Sequence, residues 1–217
     1  MVKNIKKQSS GSKIIEVVIN HIENHVKQYI FVILLFFIGI IIGILLINNA
    51  SEDIKGEISN YINTFEDNLK GDGKIDNNKL LLSSIINNTK TTILMWFMGS
   101  TVIGIPIVLG TIVFKGIGIG YTISSLIGVM GPQNGIIIAF LAIFLHNLIY
   151  IPAIFALGVS GLDLYKVITK NMHRENVKIQ IARHTIFSII IFIIILFSSL
   201  IESYASATLT EWYINIV

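Results

Sequence analysis

Cysteine is absent from the 217-residue chain, which excludes disulfides, thiol nucleophiles and cysteine-ligated zinc or iron–sulfur sites. Charge is scarce. Asp, Glu, Lys and Arg make up 13% of residues, about half the share usual in a soluble domain. These deficits exclude an ordinary soluble enzyme, a disordered chain and a nucleic-acid binder. What the chain has instead is apolar length, with 53% hydrophobic residues and a mean hydropathy of +0.75. A helix needs about 20 apolar residues to cross about 30 Å of hydrocarbon, so about five spans would use nearly half the chain. The expected fold class is an all-α polytopic membrane bundle, a single integral membrane domain over residues 1–217, with little left over for a soluble catalytic domain.

Residues 1–29 are basic, with Lys3, Lys6, Lys7, Lys13 and Lys27 against Glu16 and Glu23. Ile14, Val17, Val18, Ile22 and Val26 recur at helical spacing, which predicts an amphipathic helix on the membrane surface. The first span is expected over Tyr29–Ile47. That run is too long for a signal-peptide core, and the cleavage pattern after it is poor. Residues 48–91 form a mildly acidic extracytoplasmic segment, read as a helical hairpin resting on the outer surface. Ile58, Ile62 and Phe65 lie on the apolar face of its first helix. A second span is expected over Thr92–Phe114, kinked at Pro106, followed by a tight connection at Lys115 and Gly116. A short glycine-rich third segment runs over Gly116–Gly131, a fourth over Gly135–Gly158 and a fifth over Thr185–Ile201. Residues 160–184 are expected to form a basic loop. Cytoplasmic loops carry excess Lys and Arg, so the N-terminus and residues 160–184 are expected inside and residues 48–91 outside. That requires the short third segment to cross, giving N-terminus in and C-terminus out.

Gly39 with Gly43, and Gly116 with Gly120, match the small-xxx-small spacing that lets membrane helices approach closely. The spacing fits packing within the chain or across the interface of a homo-oligomer. His146 and Asn147 lie near the middle of the fourth segment, with Tyr150 one turn on and Pro152 beyond. Polar side chains at that depth are costly unless they face the bundle and find partners, so these three are candidate intramembrane polar residues. No catalytic, metal or cofactor site is expected. Nothing in the spacing pairs Ser100, Ser124 or Ser125 with His146 as nucleophile and base. Asp72 to Asp76 lacks the ligand pattern of a calcium loop, and a lone His gives no zinc site. Glu202, with Ser203 and Tyr204, reads as an outer boundary marker.

The run Leu94-Met95-Trp96-Phe97-Met98-Gly99, then Val102 to Pro106 with Gly104, then Phe114-Lys115-Gly116 and Gly120-Tyr121-Thr122, resembles the stage II sporulation protein M family. His146-Asn147, Ile151-Pro152-Ala153 and Ile201-Glu202-Ser203-Tyr204 continue the resemblance, which covers most of the chain. In the wider family a Glu tends to follow the His by four residues. Tyr150 stands there in this sequence, which weighs against a role depending on that carboxylate and favours a scaffold. The resemblance implies a non-enzymatic multi-pass scaffold required for engulfment during endospore formation. It would lie on the mother-cell side of the sporulation septum and recruit the peptidoglycan-degrading stage II sporulation proteins P and D. Ile58, Ile62 and Phe65 are then candidate docking positions. The alternative is a transporter or permease with a midplane site near His146, since interrupted helices near the midplane are where transporters build sites.

Overall fold

The computed structural model describes residues 22–71, 73–170 and 174–216. The basic N-terminal stretch expected to lie on the membrane surface falls largely outside the described residues. Helix makes up 91% of the structure and no strand occurs among the described residues, so the chain is all-α. Among the described residues three stretches are long and apolar enough to cross a membrane: Val26–Asn48, Ile105–Thr169 and Val177–Ile214.

Helix α1 (Val26–Asn48) is almost wholly aliphatic and ends where the Asn49 backbone N–H and side chain both donate to Leu45 O. Helix α2 (Glu52–Lys70) is short and amphipathic. Glu52 and Asp53 sit in its first turn and Lys70 in its last, each complementing the helix dipole. Ile62 and Leu69 are buried on its inner face. Helix α3 (Asn77–Gly99) begins at Asp76, whose side chain accepts from the backbone N–H groups of Asn78 and Lys79, both at 3.1 Å. Those bonds satisfy donors the first turn would otherwise leave unpaired.

The expected second span, Thr92–Phe114, is not one kinked helix. Helix α3 stops at Gly99, and α4 (Ile105–Ala139) starts six residues later with Pro106 in its first turn. Proline is suited to that position because the N–H it lacks would have no partner there. Between the helices Gly104 presses on the Met98 backbone, where a Cβ would collide. The chain therefore reverses instead of bending. The tight connection expected at Lys115 and Gly116 is absent too, because both lie inside α4. The glycine-rich third segment is the upper part of a helix that began at Ile105, and so it is not short.

Helix α4 breaks at Gly131, whose φ of 80° and ψ of 165° make it the one residue of positive φ among those described. Non-glycine residues adopt this backbone only with strain. The break folds the apolar run back on itself. Lys115 Nζ lies 5.0 Å above the Tyr150 ring, although 35 residues of straight helix would separate them by about 52 Å. Beyond the break come a π-helical turn (Phe140–Phe144) and α5 (Leu145–Lys170). Helix α6 (Arg174–Leu200) leads through a second π-helical turn (Ile201–Ser206) into α7 (Ala207–Ile214).

The two glycine pairs meet each other. A Cβ on Gly39 or Gly43 would strike the carbonyl oxygens of Val113 or Ile117, and a Cβ on Gly116 or Gly120 those of Phe36 or Ile40. Helices α1 and α4 therefore run parallel at backbone contact, the arrangement small-xxx-small pairs permit. A second close crossing, Gly99 against Gly161, brings α3 to α5. The core between the helices is built on Val32, Met95, Val108, Ile112, Leu157, Val159 and Ile195, each at most 1% exposed. Outward-facing Ile186, Ile189 and Ile193 are more than half exposed, as expected of a surface that meets lipid.

Candidate intramembrane polar site

Four helices deliver polar side chains to one level of the bundle. On α3, Ser84, Asn88 and Thr92 recur every four residues and form one buried stripe. Facing them, Ser199 and Ser203 are fully buried, and Glu202 lies between them in sequence, within the second π turn. Asn88 Nδ2 donates to Ser199 Oγ at 2.9 Å, and Ser84 Oγ donates to Glu202 Oε2. From α5, His146 Nε2 lies 4.0 Å from Glu202 Oε1, with side-chain exposures of 15% and 28% for the two residues. Ser198 Oγ donates to the His146 carbonyl at 2.8 Å. From α4, the Lys115 ammonium stands over the buried Tyr150 ring. An open cleft of about 420 Å³ joins these groups, lined by Ser83, Asn87, Lys115, His146, Tyr150 and Glu202 among others.

Glu202 does not mark the outer end of its helix. The helix runs on to Ile214, and Tyr213 Oη donates to Asn134 Oδ1 at 3.2 Å near the Gly131 reversal. Counting 1.5 Å per residue from that contact puts Glu202 and His146 about 16–18 Å further along the bundle. Hydroxyls along the helix bond back to its own backbone, which satisfies them within it. Ser203 donates to Ser199 O at 2.9 Å and Thr210 to Ser206 O at 2.7 Å.

Both π turns flank the site. Phe140–Phe144 ends two residues before His146, and Ile201–Ser206 contains Glu202. Such turns add a residue to the helical circuit and recur at functional positions. A half-buried carboxylate, an imidazole and an ammonium in one cleft can hold a polar group or exchange a proton. The serine and asparagine bonds around them tie α3 to α6. Toward the opposite end of the bundle the same hydroxyl chemistry recurs, with Ser160 Oγ 2.8 Å from His184 Nδ1 and Trp96 Nε1 donating to Thr185 Oγ1 at 3.2 Å.

The sequence-derived candidates are thus brought together in part. His146, Asn147, Tyr150, Lys115 and Glu202 share the cleft, where Asn147 Nδ2 donates to Ile143 O at 2.8 Å. Gly104 and Pro106 belong to the α3–α4 reversal, Gly116 to the contact with α1, and Pro152 to the interior of α5. Ile58, Ile62 and Phe65 lie on the side of α2 that faces the bundle, where they line an apolar cavity. Sequence reasoning missed Ser84, Asn88 and Ser199 and took Lys115 for a loop residue. The four-residue recurrence of Ser84, Asn88 and Thr92 was the available signal. Among the described residues no group of three or more His, Asp or Glu side chains is placed to hold a metal ion.

No curated protein and no solved structure matches the chain. The family model for Stage II sporulation protein M matches residues 32–207, a range running from the first turns of α1 to the start of α7 and enclosing the whole polar cleft. That family is not a known enzyme family. With its apolar helices and this match, the chain is a sporulation-related membrane protein and belongs to the Stage II sporulation protein M family.

Proposed function

We propose that the protein is a multi-pass scaffold of the engulfment machinery, set in the mother-cell membrane at the sporulation septum, which holds the wall hydrolases stage II sporulation proteins P and D. The chain crosses the membrane five times, through α1, α3, the two legs that meet near Gly131, and α6 with α7. Its N-terminus is inside and its C-terminus outside. Charge supports this orientation, since the basic residues 160–184, expected as a loop, fall instead largely in the last turns of α5 (to Lys170) and the first turns of α6 (from Arg174), at the end where α1 begins. There His25 Nε2 lies 3.0 Å from Asp163 Oδ1.

The observation that carries the scaffold reading, beside the family match, is the way α2 is held. Ile62 and Leu69 pin one face of α2 to the bundle, and the opposite face presents Asp53, Asn60 and Asp67 as an exposed stripe repeating every seven residues. A helix fixed on one side and polar on the other is a platform for a partner outside the membrane. Hydrolase contact runs through that stripe, with Ile58, Ile62 and Phe65 holding the platform in place. Co-purification of tagged proteins P and D tests this. Asp53→Lys with Asp67→Lys is expected to abolish capture while membrane insertion persists, and undiminished capture would remove the stripe as the contact.

A second reading, a permease for a small polar solute, rests on the midplane cleft holding Lys115, His146 and Glu202. Intramembrane ionisable groups that face a cavity mark substrate or ion pathways. Proteoliposome flux lost in His146→Ala would support it, and absence of flux for every solute tried would count against it.

A further inference from the structure

Between the inner face of α2 and the outer half of the bundle lies a cavity of about 770 Å³. This size is within the range of about 300–1,000 Å³ typical of small-molecule sites. Its walls are mostly aliphatic, with Ile62, Leu126, Met130 and Ile138 among them. One polar group aims into it without a partner: Ser206 is 2% exposed, and its Oγ has no hydrogen-bond partner among the described residues. A buried hydroxyl left unbonded costs free energy, so the site is built to receive an acceptor. Among the described residues, the charged groups lining the cavity are Glu57 and Glu202, and no Lys, Arg or His lines it.

These features select the occupant. A helix about 10 Å across that filled this volume would be about 10 Å long, under two turns, which is too little for a partner's membrane segment. The apolar wall opposes a free polar solute, and the two carboxylates oppose an acidic amphiphile. We propose that the cavity seats one hydrocarbon chain of a membrane lipid without net negative charge. An oxygen at the head of that chain accepts a hydrogen bond from Ser206 Oγ, and α2 closes over it as a lid. The polar cleft meets this cavity at Leu80, Thr122, Ile143 and Glu202, which line both. The lipid therefore lies directly against the outer end of the intramembrane site.

The test uses the purified full chain in nanodiscs of phosphatidylethanolamine doped with a diazirine-chain phosphatidylethanolamine. Photolabelled peptides are mapped by mass spectrometry. Labelling is expected to concentrate on residues 126–138 and 206–214. It should fall at least fivefold there in Ile138→Trp, which fills the cavity, and should persist in Ile193→Trp on the lipid-facing side of α6. Ser206→Ala, a change too small to disturb folding, should lower cavity labelling about threefold or more. A diazirine phosphatidylglycerol probe should label the cavity several-fold less than the zwitterionic one. Cavity labelling no denser than on the open face around Ile189, or unchanged in both Ile138→Trp and Ser206→Ala, would overturn the proposal. Equal labelling by the two head groups would overturn its charge selectivity. Because the readout needs no partner and no sporulating cell, its failure would leave the scaffold reading untouched.

Discussion

Glu202 stands in the middle of the bundle with Ser84 and His146 as its neighbours, and its energetics follow from that company. Removing the donor leaves a half-buried carboxylate short of one hydrogen bond, which costs on the order of 1 kcal/mol. Ser84→Ala is therefore expected to destabilise the detergent-solubilised protein by about that amount, and adding Glu202→Gln should restore part of it because a neutral amide needs the bond less. A double-mutant cycle by thermal unfolding reads the coupling, and strict additivity would deny it. At the bundle surface, Asp76 shows the same logic with a titratable cap. Its carboxyl is held below the ordinary carboxylate range, first by the backbone N–H of Lys79 and also by the Lys79 ammonium and the Asn78 N–H, with some opposition from desolvation. A depressed carboxylate pKa means the cap is fully formed above the unfolded-state value and is lost as pH falls through the folded one. Amide protection at Asn78 and Lys79 should therefore drop on acidification in the natural chain. In Asp76→Asn, which caps without titrating, protection should be independent of pH.

Among the elements, the contact between α1 and α4 is the most exacting. Gly116→Leu would drive a side chain into the Phe36 carbonyl, whereas Gly118, two residues on, faces open space. Overpacking costs roughly 1–3 kcal/mol or more, so Gly116→Leu should lower the unfolding temperature clearly and Gly118→Leu hardly at all. Equal effects would mean the helices do not meet there. Much of this was legible in the sequence. The aliphatic run of α1, the glycine pairs, the amphipathic period of α2 and the motif residues around His146 all rest on local pattern. The errors fell where tertiary packing decides between two local outcomes. Gly104-Ile105-Pro106 reads equally as a kinked helix or as a turn before a new helix, and the close approach of Gly104 to Met98 chooses the turn. Glu202 reads as a helix end on polarity alone, but Ser84 on α3 takes up its carboxylate and the helix runs on through a π turn to Ile214. The pairing of Ser84 with Glu202, 118 residues apart, could not be read from spacing, because no local period connects α3 to α6.

Among the described residues the molecule is a bundle with a cluster of polar contacts inside it, and α2, the amphipathic helix between α1 and α3, is pinned by its apolar face. Because the chain has no cysteine, single cysteines report topology directly. An impermeant maleimide applied to intact cells should label Asn60→Cys and Asn134→Cys and should miss Ser100→Cys and Lys178→Cys. Labelling of Ser100→Cys from outside would refute five crossings. The scaffold reading makes its claim at the level of the cell, where this chain supplies position and its partners supply hydrolysis. Its most direct test is time-lapse membrane staining of sporulating cells lacking the gene, complemented with either the natural chain or the chain carrying Asp53→Lys and Asp67→Lys. The account predicts septa that form without engulfment in the deletion strain, rescue by the natural chain and no rescue by the variant. Normal engulfment in the deletion strain would contradict it.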